Sequence, residues 1–182
     1  MLSLCMILIS HFYLLANARV YNHHTLVGED GDLITNVCRG AGDFKANCSI
    51  ILREDPKVVN ANNYFDISKA ILELAIRKTS AARNFMKELT KNNDSPAITA
   101  CIADYEFAID FFNHSLDELK ESPATAVYDA KIVINNPYFC SVQLENAHIV
   151  NPSIDALNYQ TSLLSVCASQ AISYTIPPPR HP

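Results

Sequence analysis

Cysteine has the most chemistry to offer in this chain of 182 residues, and its six copies stand at Cys5, Cys38, Cys48, Cys101, Cys140 and Cys167. Such a set can ligate a metal, attack a substrate or form disulfides. Zinc ligation calls for paired ligands at short spacing, yet there is no C-x-x-C and the histidines are scattered. Catalysis is no better served, since neither Gly-x-Ser-x-Gly nor His-Glu-x-x-His occurs. A phosphate-cradling loop needs glycine, and none follows Gly42. His114, His148 and His181 read as surface residues, and His23-His24 as part of an N-terminal arm. No catalytic residue, metal ligand or cofactor is therefore assigned, and the chain is read as a non-enzyme whose cysteines serve its structure.

The apolar run from Leu2 to Leu15 ends in Ala16-Asn17-Ala18, the small-x-small pattern of a signal peptidase site. Residues 1–18 are read as a secretory signal, and the mature protein is expected to start near Arg19. No later segment has the apolar length of a membrane helix, so no membrane association is expected of the mature form. Cys5 leaves with the signal, and the five remaining cysteines enter an oxidising compartment where disulfides persist. An odd count leaves one thiol free. Cys38 and Cys48 are close enough in sequence to bridge each other, while Cys101, Cys140 and Cys167 leave the second pair open. The net charge of −5, with no cluster of lysine and arginine, argues against nucleic acid as a partner.

The elements that must position these cysteines are helices. Pro56, Pro96, Pro123, Pro137, Pro152 and Pro177 each disfavour a helical residue before them, so each marks a boundary rather than an interior. Between Pro96 and Pro123, helical projection puts Cys101, Ile102, Tyr105, Ala108, Ile109, Phe112, Leu116 and Leu119 on one face. Phe107 and Phe111 fall off that stripe; they are expected to pack beneath another part of the chain, with a partner-binding patch as the alternative. Between Pro56 and Pro96 a second stripe runs from Tyr64 to Leu89, interrupted by Lys78, whose stem can lie along the core. Its outer face carries Lys69, Glu73 and Lys87, and Lys69, Glu73 and Arg77 are spaced for ion pairing along the helix. Asp66 and Asp94-Ser95 are the expected caps. Ala124 to Asn135 and Ile154 to Tyr174 would complete a four-helix core. Leu33 to Cys38 and Ala46 to Leu52 would form a small helical hairpin. The expected class is all-α: a four-helix bundle with a disulfide-bridged N-terminal hairpin over residues 19–174, then a disordered proline-rich tail, 175–182.

The order of these features resembles the plant invertase and pectin methylesterase inhibitors. Cys38 and Cys48, followed by Leu52-x-x-Asp55-Pro56, are similar to that family's bridged hairpin and its exit into the first long helix. Cys101-x-x-x-Tyr105-x-x-Ala108-Ile109 looks like the helix carrying the third cysteine. Tyr128-Asp129-Ala130 and Asn136-Pro137-x-x-Cys140 look like the helix and turn that deliver the fourth, and Leu163-x-x-x-Cys167-Ala168-Ser169-Gln170-Ala171-Ile172 is similar to the last helix. The resemblance implies a secreted, disulfide-bonded helical bundle that pairs Cys38 with Cys48 and Cys101 with Cys140 and leaves Cys167 free. It also implies an inhibitor that covers the active-site cleft of a protein partner, pectin methylesterase or acid invertase. Where invertase inhibitors of this family can present Pro-Lys-Phe, this sequence reads Pro123-Ala124-Thr125, which favours pectin methylesterase. A third reading is a non-inhibitory interaction protein of the same fold. Candidate contact residues are Lys69, Glu73, Lys87 and Phe107. Asn113-His114-Ser115 fits the N-glycosylation pattern better placed than Asn47-Cys48-Ser49. The expected location is the apoplast, or the vacuole.

Overall fold

The structure, a computed structural model, describes residues 31–91 and 94–177. The expected signal segment and residues 178–182 lie outside the described residues. The described elements are α1 (Leu33–Arg39), a 3-10 turn (Gly42–Phe44), α2 (Lys45–Arg53), α3 (Pro56–Val59), α4 (Tyr64–Thr90), α5 (Pro96–Glu118), α6 (Pro123–Ile132), α7 (Asn135–Asn146) and α8 (Pro152–Ser173). Pro56, Pro96, Pro123 and Pro152 open α3, α5, α6 and α8. At a first helical position the missing N–H would have had no intrahelical partner anyway. Side-chain caps from Asp55, Ser95 and Asn151 satisfy some of the other free N–H groups there. At α4 the cap is Asn63 rather than the expected Asp66. Asn63 Oδ1 accepts from the Asp66 backbone N–H at 2.9 Å, and Asn63 Nδ2 donates to the Asp66 carboxylate at 2.7 Å. Asp66 closes a reciprocal cap from inside the helix.

The bundle is built on α4, which packs against both α5 and α8, while α6 packs on α5 and α8 and α7 mainly on α5. The stripe read from α5 is inside: Cys101, Tyr105, Ala108 and Phe112 have no exposed surface. So is the α4 stripe at Ile67, Ile71, Ala75 and Met86. Where α6 meets α8, alanines share one core cluster, Ala126 and Ala130 from α6 with Ala168 and Ala171 from α8. Residues this small let helix backbones approach closely, and Ser165 of α8 uses that approach to donate to the Ala130 carbonyl at 2.8 Å.

The third position of the bundle differs from the expected single helix. It is two helices, α6 and α7, broken after Ile132, and Pro137 lies inside the first turn of α7 rather than at a boundary turn. The physical cause is Pro137 itself. It has no N–H for the Val133 carbonyl, and its ring would clash with that carbonyl in a continuous helix. The Asn136 N–H takes the Val133 carbonyl instead, at 2.9 Å. The break starts a new helix axis, and α7 carries Cys140 to Cys101 from within a helix. That bridge spans α5 to α7 with Cα atoms 4.5 Å apart.

A buried polar relay ties α5, α7 and α8 together. Tyr105 donates its hydroxyl to Asn158 Oδ1 at 2.8 Å, Asn158 Nδ2 donates to Ser141 Oγ at 2.9 Å, and Ser141 donates to the Pro137 carbonyl at 3.0 Å. Burial pushes the Tyr105 hydroxyl up, so it stays protonated and acts as a donor at every physiological pH. Removing that donor leaves the Asn158 oxygen without its partner. Tyr105→Phe is expected to destabilise the bundle by about 1–3 kcal/mol, measured as a lowered urea midpoint with an unchanged slope. An unshifted midpoint would show that the relay contributes nothing.

The hairpin of α1 and α2 is closed by Cys38–Cys48, with Cα atoms 5.5 Å apart. Gly42, at φ 55°, turns the chain between them in the left-handed region open to glycine. It rests on α8 through the Phe44 and Tyr159 rings, 5.3 Å apart, and through Asn47 Nδ2 donating to the Tyr159 hydroxyl at 2.7 Å. Tyr174 anchors the other side. It stacks on Tyr64 at 4.6 Å and donates to the Asn36 carbonyl at 3.2 Å. The chain therefore remains ordered through Tyr174 and into Thr175, whose N–H reaches the Ile172 carbonyl.

Candidate functional site

The described residues hold no cluster of three or more histidine, cysteine or carboxylate side chains fit for a metal ion. A surface depression of about 430 Å³ between α4 and α8 is lined by Lys78, Ala81, Phe85, Ser153, Leu157 and others. What the molecule offers chemically is surface, held by two disulfides. The candidate contact residues belong to that surface and fall into two groups.

The first group lies where α4 crosses α5. Lys87 donates to the Glu106 carboxylate at 2.7 Å, fastening the two helices on the outside of the bundle. That hydrogen bond, opposed by slight burial and aided by the charges of Lys87 and Arg83, holds the Glu106 carboxyl below its usual range. Phe107 follows directly and is 58% exposed. This overturns the expected packing of Phe107 beneath another segment. At 100° per residue it is turned out of the stripe that Tyr105 and Ala108 occupy, and the hairpin sits elsewhere, on α8. Phe111 behaves as expected and is half-buried against the core. Asp104, one turn before Phe107, has its carboxyl pushed up by burial. An exposed aromatic ring beside carboxylates and a lysine is the mixture that protein interfaces use as an anchor with a polar rim.

The second group is Lys69 and Glu73, about 27 Å from Lys87 along the α4 axis at 1.5 Å per residue for Lys69. Lys69 is exposed. The expected ion pairing along the helix is not what forms: Glu73 accepts from Lys57 of α3 at 2.6 Å, and Arg77 pairs with Asp55. Both carboxylates meet cations across the α3–α4 junction, because Asp55 and Lys57 sit on the segment that enters α4. Glu73 is thus partly committed to holding α3 in place.

Residues missed by helical projection include Glu106, legible only once α4 and α5 are docked. Tyr138 and Phe139, 64% and 49% exposed with rings 5.9 Å apart, are also missed. Spacing gave no signal for them, since adjacent helix residues such as Ile71 and Leu72 can both enter one core. Asn113 is half-buried, its amide donating to the Ile109 carbonyl at 2.9 Å. Ser115 of the same glycosylation triplet is fully buried and donates to the Ala126 carbonyl. Pro123 opens α6, leaving Ala124 and Thr125 exposed, with no cation and no ring at those positions.

A family model described as plant invertase/pectin methylesterase inhibitor matches residues 32–172. Among solved structures the chain is similar to mutant form A of a pectin methylesterase inhibitor from Arabidopsis. The TM-score is 0.69 at 14% identity, covering 81% of this chain and 99% of that one. It is also similar to a pectin methylesterase inhibitor from Arabidopsis thaliana, with a TM-score of 0.58 at 15% identity, covering 81% and 98%. At such identities the likeness is one of fold. No curated protein matches the sequence.

Proposed function

Because the chain belongs to the plant invertase/pectin methylesterase inhibitor family, we propose that it is a secreted inhibitor of pectin methylesterase that covers the enzyme's active-site cleft. Members of this family act on protein targets as inhibitors rather than as catalysts. The observation that carries the choice of target is the α5–α6 connection. Pro123-Ala124-Thr125 offers a methyl and a hydroxyl where an invertase inhibitor can offer a lysine and a phenylalanine. The ring and charges at Phe107, Lys87 and Glu106 supply the anchor instead, with Lys69 and Glu73 as a second contact. The two similar solved structures, both of pectin methylesterase inhibitors, support the fold that this reading requires.

Secretion through residues 1–18 accounts for the two disulfides, which persist in oxidising compartments. Asn113 is proposed to carry a glycan, added before α6 docks, because Ser115 is inaccessible once the bundle has formed. A mass shift of the Asn113 peptide on glycan removal would bear this out, and an unmodified peptide would remove it. Complex formation tests the main reading. The oxidised chain from Arg19 should co-elute with a plant pectin methylesterase at one to one and leave an acid invertase to elute alone. Co-elution with invertase only would favour the alternative target, and co-elution with neither would favour a non-inhibitory protein of this fold.

A further inference from the structure

Three sulfur atoms meet where the hairpin rests on α8, and the fold needs only two of them. Cys38 of α1 and Cys48 of α2 form the hairpin bridge. Cys167, on the buried face of α8, is a free thiol with no exposed surface. Its Sγ donates to Cys48 Sγ at 3.3 Å. The bridge sulfur that the thiol reaches is that of Cys48.

We propose that Cys167 is a resident nucleophile for the hairpin bridge, exchanging Cys38–Cys48 for a Cys48–Cys167 bridge that fastens α2 covalently to α8. The step balances within the chain. The Cys167 thiol gives its proton to solvent, and its sulfur attacks Cys48 Sγ. The Cys48–Cys167 bond forms as the Cys38–Cys48 bond breaks, and Cys38 leaves as a thiolate that takes up a proton. The Cys167 sulfur is oxidised and the Cys38 sulfur reduced, so one thiol and one disulfide remain and no external oxidant is consumed. A bond between the two sulfurs requires them to close from 3.3 Å to about 2.05 Å, a small adjustment of side chains already in contact.

Burial restrains the exchange in the closed protein. It pushes the Cys167 thiol up to about 12, so the attacking thiolate is scarce while the hairpin is seated. The seat is apolar as well as polar: Val37, Cys48 and Leu52 of the hairpin are fully buried in one core cluster with Leu164, Ala168 and Ile172 of α8, and Asn47 on Tyr159, Phe44 against Tyr159 and Tyr174 on the Asn36 carbonyl lie at its margin. Exchange therefore requires the hairpin to lift from α8 as a unit, which admits water to Cys167 while α4, α5 and α8 stay packed. Exchange turns a bridge confined to the hairpin into one between the hairpin and the bundle, freeing α1 from α2 and fixing α2 in place.

The test follows the thiol. The oxidised chain from Arg19 is held in mildly alkaline buffer below its melting transition, quenched with acid at intervals, unfolded, labelled with a dipyridyl disulfide and mapped by peptide mass. The label is expected to move from Cys167 to Cys38 with total thiol content unchanged, at a rate independent of protein concentration and with Cys101–Cys140 intact. Cys38→Ser, oxidised with a glutathione redox buffer and checked for helicity, is expected to yield a linked Cys48–Cys167 peptide. Label confined to Cys167 throughout overturns the proposal. So does a folded Cys38→Ser chain in which Cys48 and Cys167 stay unlinked.

Discussion

Replacing Cys140 with serine is expected to lower the stability of the oxidised protein by about 2–5 kcal/mol. The bridge it removes joins residues separated by 39 positions and crosses from α5 to α7. In the unfolded chain that cross-link closes a long loop and removes conformational freedom, so its loss favours unfolding. The folded state loses as well. Cys101 and Cys140 are both fully buried in the smaller of two core clusters, with Met86, Tyr105, Leu144 and Ile154. Serine puts a hydroxyl among those apolar groups, and Cys101 is left as a second free thiol. Cys101→Ser should match Cys140→Ser, because either change removes the same cross-link. Thermal and urea unfolding, followed by helicity, would measure the loss. An unchanged midpoint would mean that α7 is held by packing and by the Asn158 relay alone.

Phe107→Ala is expected to weaken inhibition of pectin methylesterase about 30-fold, the size of an aromatic hot spot of about 2 kcal/mol. The melting transition should barely move, since a side chain 58% exposed contributes little to the core. Lys87→Ala is expected to do less, and its effect should shrink as salt is added, because an exposed charge at an interface rim acts mainly through screened attraction. The comparison is informative because Lys87 also holds Glu106 across the α4–α5 crossing. If Lys87→Ala lowered stability while leaving inhibition intact, its role would be structural. Inhibition unaltered by Phe107→Ala would move the interface away from this crossing and toward Lys69 on the other stretch of α4.

What the sequence disclosed follows from what periodicity can measure. A helix buries a stripe of its own residues, so Tyr105, Phe112, Ile71 and Met86 could be placed in the core from spacing alone, and the prolines opening α3, α5, α6 and α8 could be placed from chain geometry. Cys38 and Cys48 were close enough in sequence to be paired, while the pairing of Cys101 with Cys140 came from family resemblance. Spacing does not encode which neighbour a surface residue meets. Glu73 and Arg77 looked like partners of their own helix, yet they pair with Lys57 and Asp55. Phe107 looked like a residue seeking cover, yet its ring is exposed. Tyr174 looked like the end of the last helix, and spacing does not show that a ring from α4 and a carbonyl from α1 hold it. The α6–α7 break was half legible: Pro137 announced a discontinuity, but only the docked chain shows that helix resumes before the proline rather than after it. The contact between Cys167 and Cys48 spans nearly the whole fold, and no local pattern could have indicated it.

An activity titration tests the inhibitory role most directly. The oxidised chain from Arg19 is added in steps to a plant pectin methylesterase and, in parallel, to an acid invertase. Saturable loss of pectin methylesterase activity near one inhibitor per enzyme, with invertase unaffected, is the predicted result. Full activity of the methylesterase at a large excess of a chain whose disulfides and helicity are intact would contradict it.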